Sequence, residues 1–357
     1  MTSTATDRPT LGIVGGTGAV GGVVLQVLPM RRQHWGTVRV AAGPEDVGSQ
    51  VQVGDERVTV EPVGPDFFDG LDVALFDLPP DIAQEWVEHA ASRGVVAIDN
   101  STVFRTEPDV PLVVPEINSH RVADRPRGII ANPGATVMTM IDVLAVLHAG
   151  WELTGLVVTT FQAASGLGRA GMSRLRAELD VVHGDPQLGT RPGDVRRLVE
   201  HELGAGSPFP APLALNVVPF VGHHVGGGWT SEELKVRDEL RKILDLPHLP
   251  VTTTCVRVPV VSSHSVSLHA SFARRIKVAD ARQALVEAPA VVVLDDPDEL
   301  DFPTPNDVVG ADPRFAGRIR QDPDDPTTLE LFVSGDNLRK GAALNMLETA
   351  ELVAAGL

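Results

Sequence analysis

A chain of 357 residues that is 43% hydrophobic can bury a sizeable core, and its length suggests two domains. Its net charge of −17, from 30 Lys+Arg against 47 Asp+Glu, argues against a nucleic-acid partner, because phosphates want a basic surface. No apolar run reaches membrane-spanning length, and Met1 to Asp7 has no basic stretch before an apolar core and reads as a frayed tail; with Cys255 as the single cysteine, a cytoplasmic protein without membrane contact or disulfide is expected.

Residues 10–14 read as a buried strand. Gly15-Gly16-Thr17-Gly18-Ala19-Val20-Gly21 follows at once, then an apolar helix over 22–28. Strand, glycine turn and helix let a backbone approach a pyrophosphate at a helix N-terminus, so Gly15, Thr17, Gly18, Ala19, Val20 and Gly21 are candidate dinucleotide contacts. A tight turn that binds nothing is the alternative. The next strand, 38–42, ends in Ala41-Ala42-Gly43-Pro44-Glu45-Asp46, where an adenosine ribose would sit. Two carboxylates there repel a 2′-phosphate and suit the hydroxyls of NAD, unless they only decorate a solvated loop. A strand over 72–76 leads to Asp77-Leu78-Pro79-Pro80, whose two prolines remove two N–H donors or start a helix over 81–91. A strand over 95–99 precedes Asn100-Ser101-Thr102-Val103-Phe104-Arg105.

The strand 128–130 opens into Ala131-Asn132-Pro133-Gly134-Ala135-Thr136-Val137 and a helical run over 138–148. Such a turn aims backbone N–H groups and a helix N-terminus at one point, where acyl-transfer enzymes stabilise a thiolate. Ala135 stands there, and a methyl group cannot attack. A strand over 155–160 precedes Phe161-Gln162-Ala163-Ala164-Ser165-Gly166-Leu167-Gly168. Residues 181–212, rich in Gly, Pro and charge, read as an excursion. Thr230 is a natural N-cap with Glu233 three residues on, a capping box for a helix to about 244. On it Glu232 and Lys235 share a face, ordinarily as a surface ion pair. Residues 251–258 alternate as a strand with Cys255 and Arg257 on one face, and His264 follows in a serine-rich run. In Gly335-Asp336-Asn337, either Asp336 or Asn337 can cap a helix that runs to about 355.

These motifs, in this order from about residue 10 to the C-terminus, resemble the aspartate-semialdehyde dehydrogenase family. The family turn reads Asn-Pro-Asn-Cys and its cysteine forms a thioester. Here the turn is Asn132-Pro133-Gly134-Ala135, a divergent form without the nucleophile. The resemblance implies that His264 is the general acid/base and that Gln162 positions a carbonyl. It implies that Arg105 holds the phosphate or carboxylate end of a substrate, that Arg257 pairs with an α-carboxylate, and that Glu232 and Lys235 contact substrate. The run containing Asn337 would pass the nicotinamide end of a cofactor. The family also has Ser and Arg near 41–46 and a glycine-containing loop near 77–80, which this chain lacks.

The expected fold is α/β: an N-terminal Rossmann-type dinucleotide-binding domain (1–135 with 336–357) and a mixed α+β catalytic and dimerisation domain (136–335). A homodimer through the second is implied by the resemblance. The expected function is a repurposed oxidoreductase acting on an aspartate-like carbonyl or imine by nicotinamide-linked chemistry without a thioester. NAD or NADP is the cofactor, NAD favoured, or none, and no metal is expected. The ligand is a small aspartate-like amino acid or dicarboxylate. Thr136, which would need a base in contact, and Cys255, better read as packing, are the substitutes weighed for the lost nucleophile, whereas direct hydride transfer needs none. A non-catalytic partner that binds such a ligand, or a cofactor-independent acid/base enzyme, are the other readings.

Overall fold

The computed structural model describes residues 8–357 and divides into two compact units. The proposed tail, residues 1–7, lies outside the described residues. The first unit comprises residues 1–134, 242–246 and 338–357, and the second 135–241 and 247–337.

In the first unit, β1 (Leu11–Val14), β2 (Val38–Ala42), β3 (Gln50–Val53), β4 (Glu56–Pro62), β5 (Val73–Phe76), β6 (Val96–Asp99) and β7 (Ile129–Ala131) form one sheet. Its order is β3-β4-β2-β1-β5-β6-β7. All neighbours pair in parallel except the β3–β4 hairpin. Every residue of β1, β5, β6 and β7 is buried, as expected of strands covered on both faces. Helix α1 (Ala19–Val27) begins directly after the glycine turn, and α2 (Pro80–Ser92) has Pro79 as N-cap and Pro80 in its first turn. Proline suits that place because its missing N–H would have no helical partner. The hairpin was not legible in the sequence. Its short, half-polar strands pair around Gly54, whose φ of 61° few other residues adopt.

The second unit opens with α3 (Ala135–Trp151), buried from Thr136 through Leu144 and so enclosed on all sides. Then come β8 (Leu153–Gln162), α4 (Gly168–Val182), α5 (Asp194–Leu203), β9 (His224–Gly226), β10 (Trp229–Thr230), α6 (Ser231–Ile243), β11 (Val251–Arg257), β12 (His264–Phe272), α7 (Val278–Glu287), β13 (Val291–Val293), β14 (Arg314–Gln321) and β15 (Thr328–Gly335). The main sheet is mixed, in the order β11-β8-β12-β15-β14-β13. The excursion expected over 181–212 contains a helix, α5, and is tied down by Glu178 on α4. That buried carboxylate accepts from the N–H groups of Leu213 (2.6 Å) and Ala214 (3.1 Å) and pairs with Arg174.

The chain ends in α8 (Leu344–Ala354), within the core of the first unit beside Val24, Leu28 and Leu75. A π-helical turn, Arg339–Ala343, precedes it. The N-cap position of that turn is Leu338 rather than Asp336 or Asn337; Asp336 accepts from the Gly310 N–H, and Asn337 from Ser165 and Ser263. Among the described residues no helix is long and apolar enough to cross a membrane.

Candidate active site

The glycine turn has a steric logic. Gly15 has a φ of 88°, and a Cβ there would lie 2.2 Å from the carbonyl oxygen of Asp77. A Cβ at Gly21 would lie 2.2 Å from the Gly15 carbonyl oxygen. Both positions therefore require glycine, as do close-packed βα turns that admit a pyrophosphate. At the end of β2, the Glu45 carboxylate folds back to 3.0 Å from where a Gly43 Cβ would stand.

Sequence reasoning missed Asp77, the first residue after β5. Its carboxylate accepts from Asn100 Nδ2 at 2.9 Å, and the Gly21 N–H at the start of α1 acts on it. Burial pushes its pKa up, while Asn100, the Gly21 N–H and nearby Arg105 hold it down. The glycines fit a dinucleotide pyrophosphate. A carboxylate on the same helix N-terminus does not. The visible signal was the acid itself, two residues before a pair of prolines.

Arg105 is buried and donates to the Asn100 carbonyl (2.7 Å), and its positive charge acts on both Asp77 and Asp99. Asp99 is raised by burial, although Ser101 (Oγ at 2.5 Å) and Arg105 oppose the rise.

In the second unit three neighbouring strands bring their ends together. Arg257 pairs in register with Gln162, and Ser265 pairs with Phe161, so Gln162, Arg257 and His264 meet at one edge. The Arg257 Nη1 donates to the Ala163 carbonyl at 2.7 Å, and the Ala163 N–H donates to His264 Nδ1 at 3.1 Å. Since Nδ1 accepts, the proton of the neutral ring sits on Nε2. Burial, with Arg257 adding to it and Glu232 opposing, lowers the His264 pKa to about 3. This imidazole is uncharged at neutral pH and is a hydrogen-bond donor. Gly166 leaves room beside both groups: a Cβ there would lie 2.6 Å from Arg257 Nη1 and 3.4 Å from His264 Cε1.

Glu232 ties α6 into the same cluster. Its Oε2 pairs with Lys235 at 2.7 Å, and its Oε1 accepts from Thr136 Oγ1 at 2.8 Å and Gln162 Nε2 at 3.4 Å. The capping box stands as expected. The Thr230 N–H donates to Glu233 Oε2 (2.8 Å) and the Glu233 N–H to Thr230 Oγ1 (3.4 Å). Glu233 also accepts from the Cys255 N–H at 3.3 Å, fixing α6 against β11.

The candidate nucleophile Cys255 is buried on β11, where burial and the charge of Glu232 push its thiol far above the ordinary range. A thiol that stays protonated is a poor nucleophile. Thr136 does contact a carboxylate, but one already paired with Lys235 is a weak base for a hydroxyl. Ala135 is the first residue of α3. Asn337 lies in the second unit, where its Oδ1 holds Ser165 Oγ and the Ser263 N–H, both at 2.9 Å. Thr17, Gly18, Ala19 and Val20 all lie partly exposed in the glycine turn or the first turn of α1. Elsewhere on the second sheet, ligand atoms of His269, Asp322 and Glu330 lie within 4.8 Å of one another, a grouping the sequence reading did not single out.

Residues 10–125 match the semialdehyde dehydrogenase NAD binding domain, and residues 144–340 the semialdehyde dehydrogenase dimerisation domain. An aspartate-semialdehyde dehydrogenase of Streptomyces akiyoshiensis is 43% identical over 97% of this chain and 99% of its own, and one of Mycolicibacterium smegmatis is 41% identical over the same shares. The crystal structure of aspartate semialdehyde dehydrogenase II from Vibrio cholerae, complexed with ASA, superposes with a TM-score of 0.89 at 31% identity, covering 98% of this chain and 99% of that one. Two domain matches in sequence order and full-length relatives at this identity leave one conclusion: the chain belongs to the semialdehyde dehydrogenase family.

Proposed function

We propose that the chain is a repurposed family member that binds a small aspartate-like amino acid or dicarboxylate in its second unit and acts on its carbonyl without a thioester. The observation that carries this reading is the polar cluster of Arg257, His264, Gln162, Glu232 and Lys235, which Thr136 joins through Glu232; we take the neighbouring Ala135 as the position of the family nucleophile. Arg257 presents a planar fork for a carboxylate. Glu232 suits an ammonium group, and Lys235 suits a second anionic group. Neutral His264 offers its Nε2–H to a carbonyl oxygen, the way an uncharged imidazole polarises a carbonyl. The aspartate-like ligand rests on this charge pattern and on the likeness to the relatives named above.

Nicotinamide-linked chemistry is the second reading. The match over residues 10–125 and the glycine turn support it, and Glu45 at the end of β2 would favour NAD over NADP. A homodimer is proposed from the dimerisation-domain match and from exposed Val157, Leu215 and Val217 in the second unit.

Assays with aspartate semialdehyde, phosphate and NADP test the absence of a thioester route. Turnover several orders of magnitude below that of a cysteine-bearing enzyme is expected. Robust phosphate-dependent NADPH formation would sink the reading. A thermal-shift screen of aspartate-like acids provides the ligand, and Arg257→Ala should weaken it about tenfold or more, because a charge-assisted contact contributes roughly 1.5–3 kcal/mol. Equal binding by Arg257→Ala would make the cluster a relic and favour a non-catalytic partner.

A further inference from the structure

The first four N–H groups of a helix have no partner within it, and in a dinucleotide-binding domain a pyrophosphate takes that place. In this chain the place is filled from within. A Cβ at Gly18 would lie 3.4 Å from Asp77 Oδ2, so the carboxylate stands against the glycine turn itself. The Gly21 N–H acts on it from the start of α1.

A relay of amides holds Asp77 there. Asn345 Nδ2 donates to the Val113 carbonyl (3.0 Å) and to Asn132 Oδ1 (2.7 Å). Asn132 Nδ2 donates to Asn100 Oδ1 at 2.8 Å, and Asn100 Nδ2 donates to Asp77 Oδ1 at 2.9 Å. Every bond points the same way, so each polarises the next toward the carboxylate. The Asp77 backbone N–H is spent on the Val14 carbonyl at 2.9 Å, which fixes the residue beside β1. Pro79 and Pro80 offer no N–H to an incoming phosphate.

We propose that Asp77 is a built-in anion that closes the glycine turn, taking the place of a dinucleotide pyrophosphate on the N-terminus of α1, so that the chain as folded does not hold NAD or NADP. A pyrophosphate brought to this turn meets a carboxylate of like charge. The domain then persists as a scaffold, with the relay doing internally what the cofactor does in a cofactor-bound relative. This inference opposes the nicotinamide-linked reading given above and leaves ligand binding in the second unit untouched.

Calorimetry with NAD and with NADP on the full chain tests it, using wild type, Asp77→Asn and Asp77→Ser. Wild type should bind either cofactor more weakly than about 1 mM. Asp77→Ser, which removes both charge and bulk, should gain about tenfold or more, and Asp77→Asn, which keeps the shape, a smaller part of that. If the serine variant does not fold, the isosteric asparagine variant carries the comparison. Micromolar binding by wild type, or folded variants that bind no better than wild type, overturns the proposal. Binding of an aspartate-like acid is read in a separate titration, so failure here leaves the reading of the second unit standing.

Discussion

His264 is held uncharged by its surroundings, and this has a measurable consequence. The unfolded chain takes up a proton at this imidazole near 6.5, the folded chain only at about 3. Between these values the unfolded state binds more protons, so stability is whole above the window and falls as pH drops through it. The slope from one group is at most ~1.4 kcal/mol per pH unit. Melting of wild type and His264→Gln from about pH 7 to 4 isolates the effect, since the buried carboxyls Asp77 and Asp99, raised by burial, act in the opposite direction in both proteins. The variant should lose less stability on acidification. Parallel curves would mean that the imidazole titrates normally.

Single side chains also decide whether whole elements hold. Glu178 on α4 satisfies two backbone N–H groups at Leu213 and Ala214 and pairs with Arg174, although it is fully buried. Removing it strands two donors and a guanidinium. Glu178→Ala should cost roughly 3 kcal/mol, and its loss should loosen α5 and the 204–214 segment before the sheet. Urea unfolding followed by hydrogen exchange would check this. Protection of 204–214 equal to wild type would show that the small apolar clusters around Leu175 and Val199 suffice.

At the scale of the molecule, each unit has its own sheet, and the first has its own large apolar core, closed by α8 from the far end of the sequence. The second unit exposes Val157 (48%), Leu215 (57%) and Val217 (58%). If this surface is the homodimer interface, Val217→Asp buries a charge at it. Light scattering should give twice the chain mass for wild type and a shift toward the monomer for the variant. A wild-type monomer would refute the dimer.

Local chemistry was readable in the sequence where a short stretch suffices. Apolar runs marked the parallel strands, glycines the first turn, Thr230 and Glu233 the cap, and alternation put Cys255 and Arg257 on one face. The β3–β4 hairpin escaped because short half-polar strands carry a weak period, and α5 because its amphipathic turn count is short and set in a Gly- and Pro-rich stretch. Only the tertiary structure decided which polar groups meet. Thr136 reaches Glu232 across 96 positions and Asn345 reaches Asn132 across 213, and no periodicity encodes such distances. Asn337, expected at a cofactor, accepts from Ser165 through its Oδ1. Asp77 looked like a loop acid, and its place on the N-terminus of α1 exists because parallel pairing sets β5 beside β1. The order of residues determined the elements, whereas the pairing of distant strands determined where their charges fall.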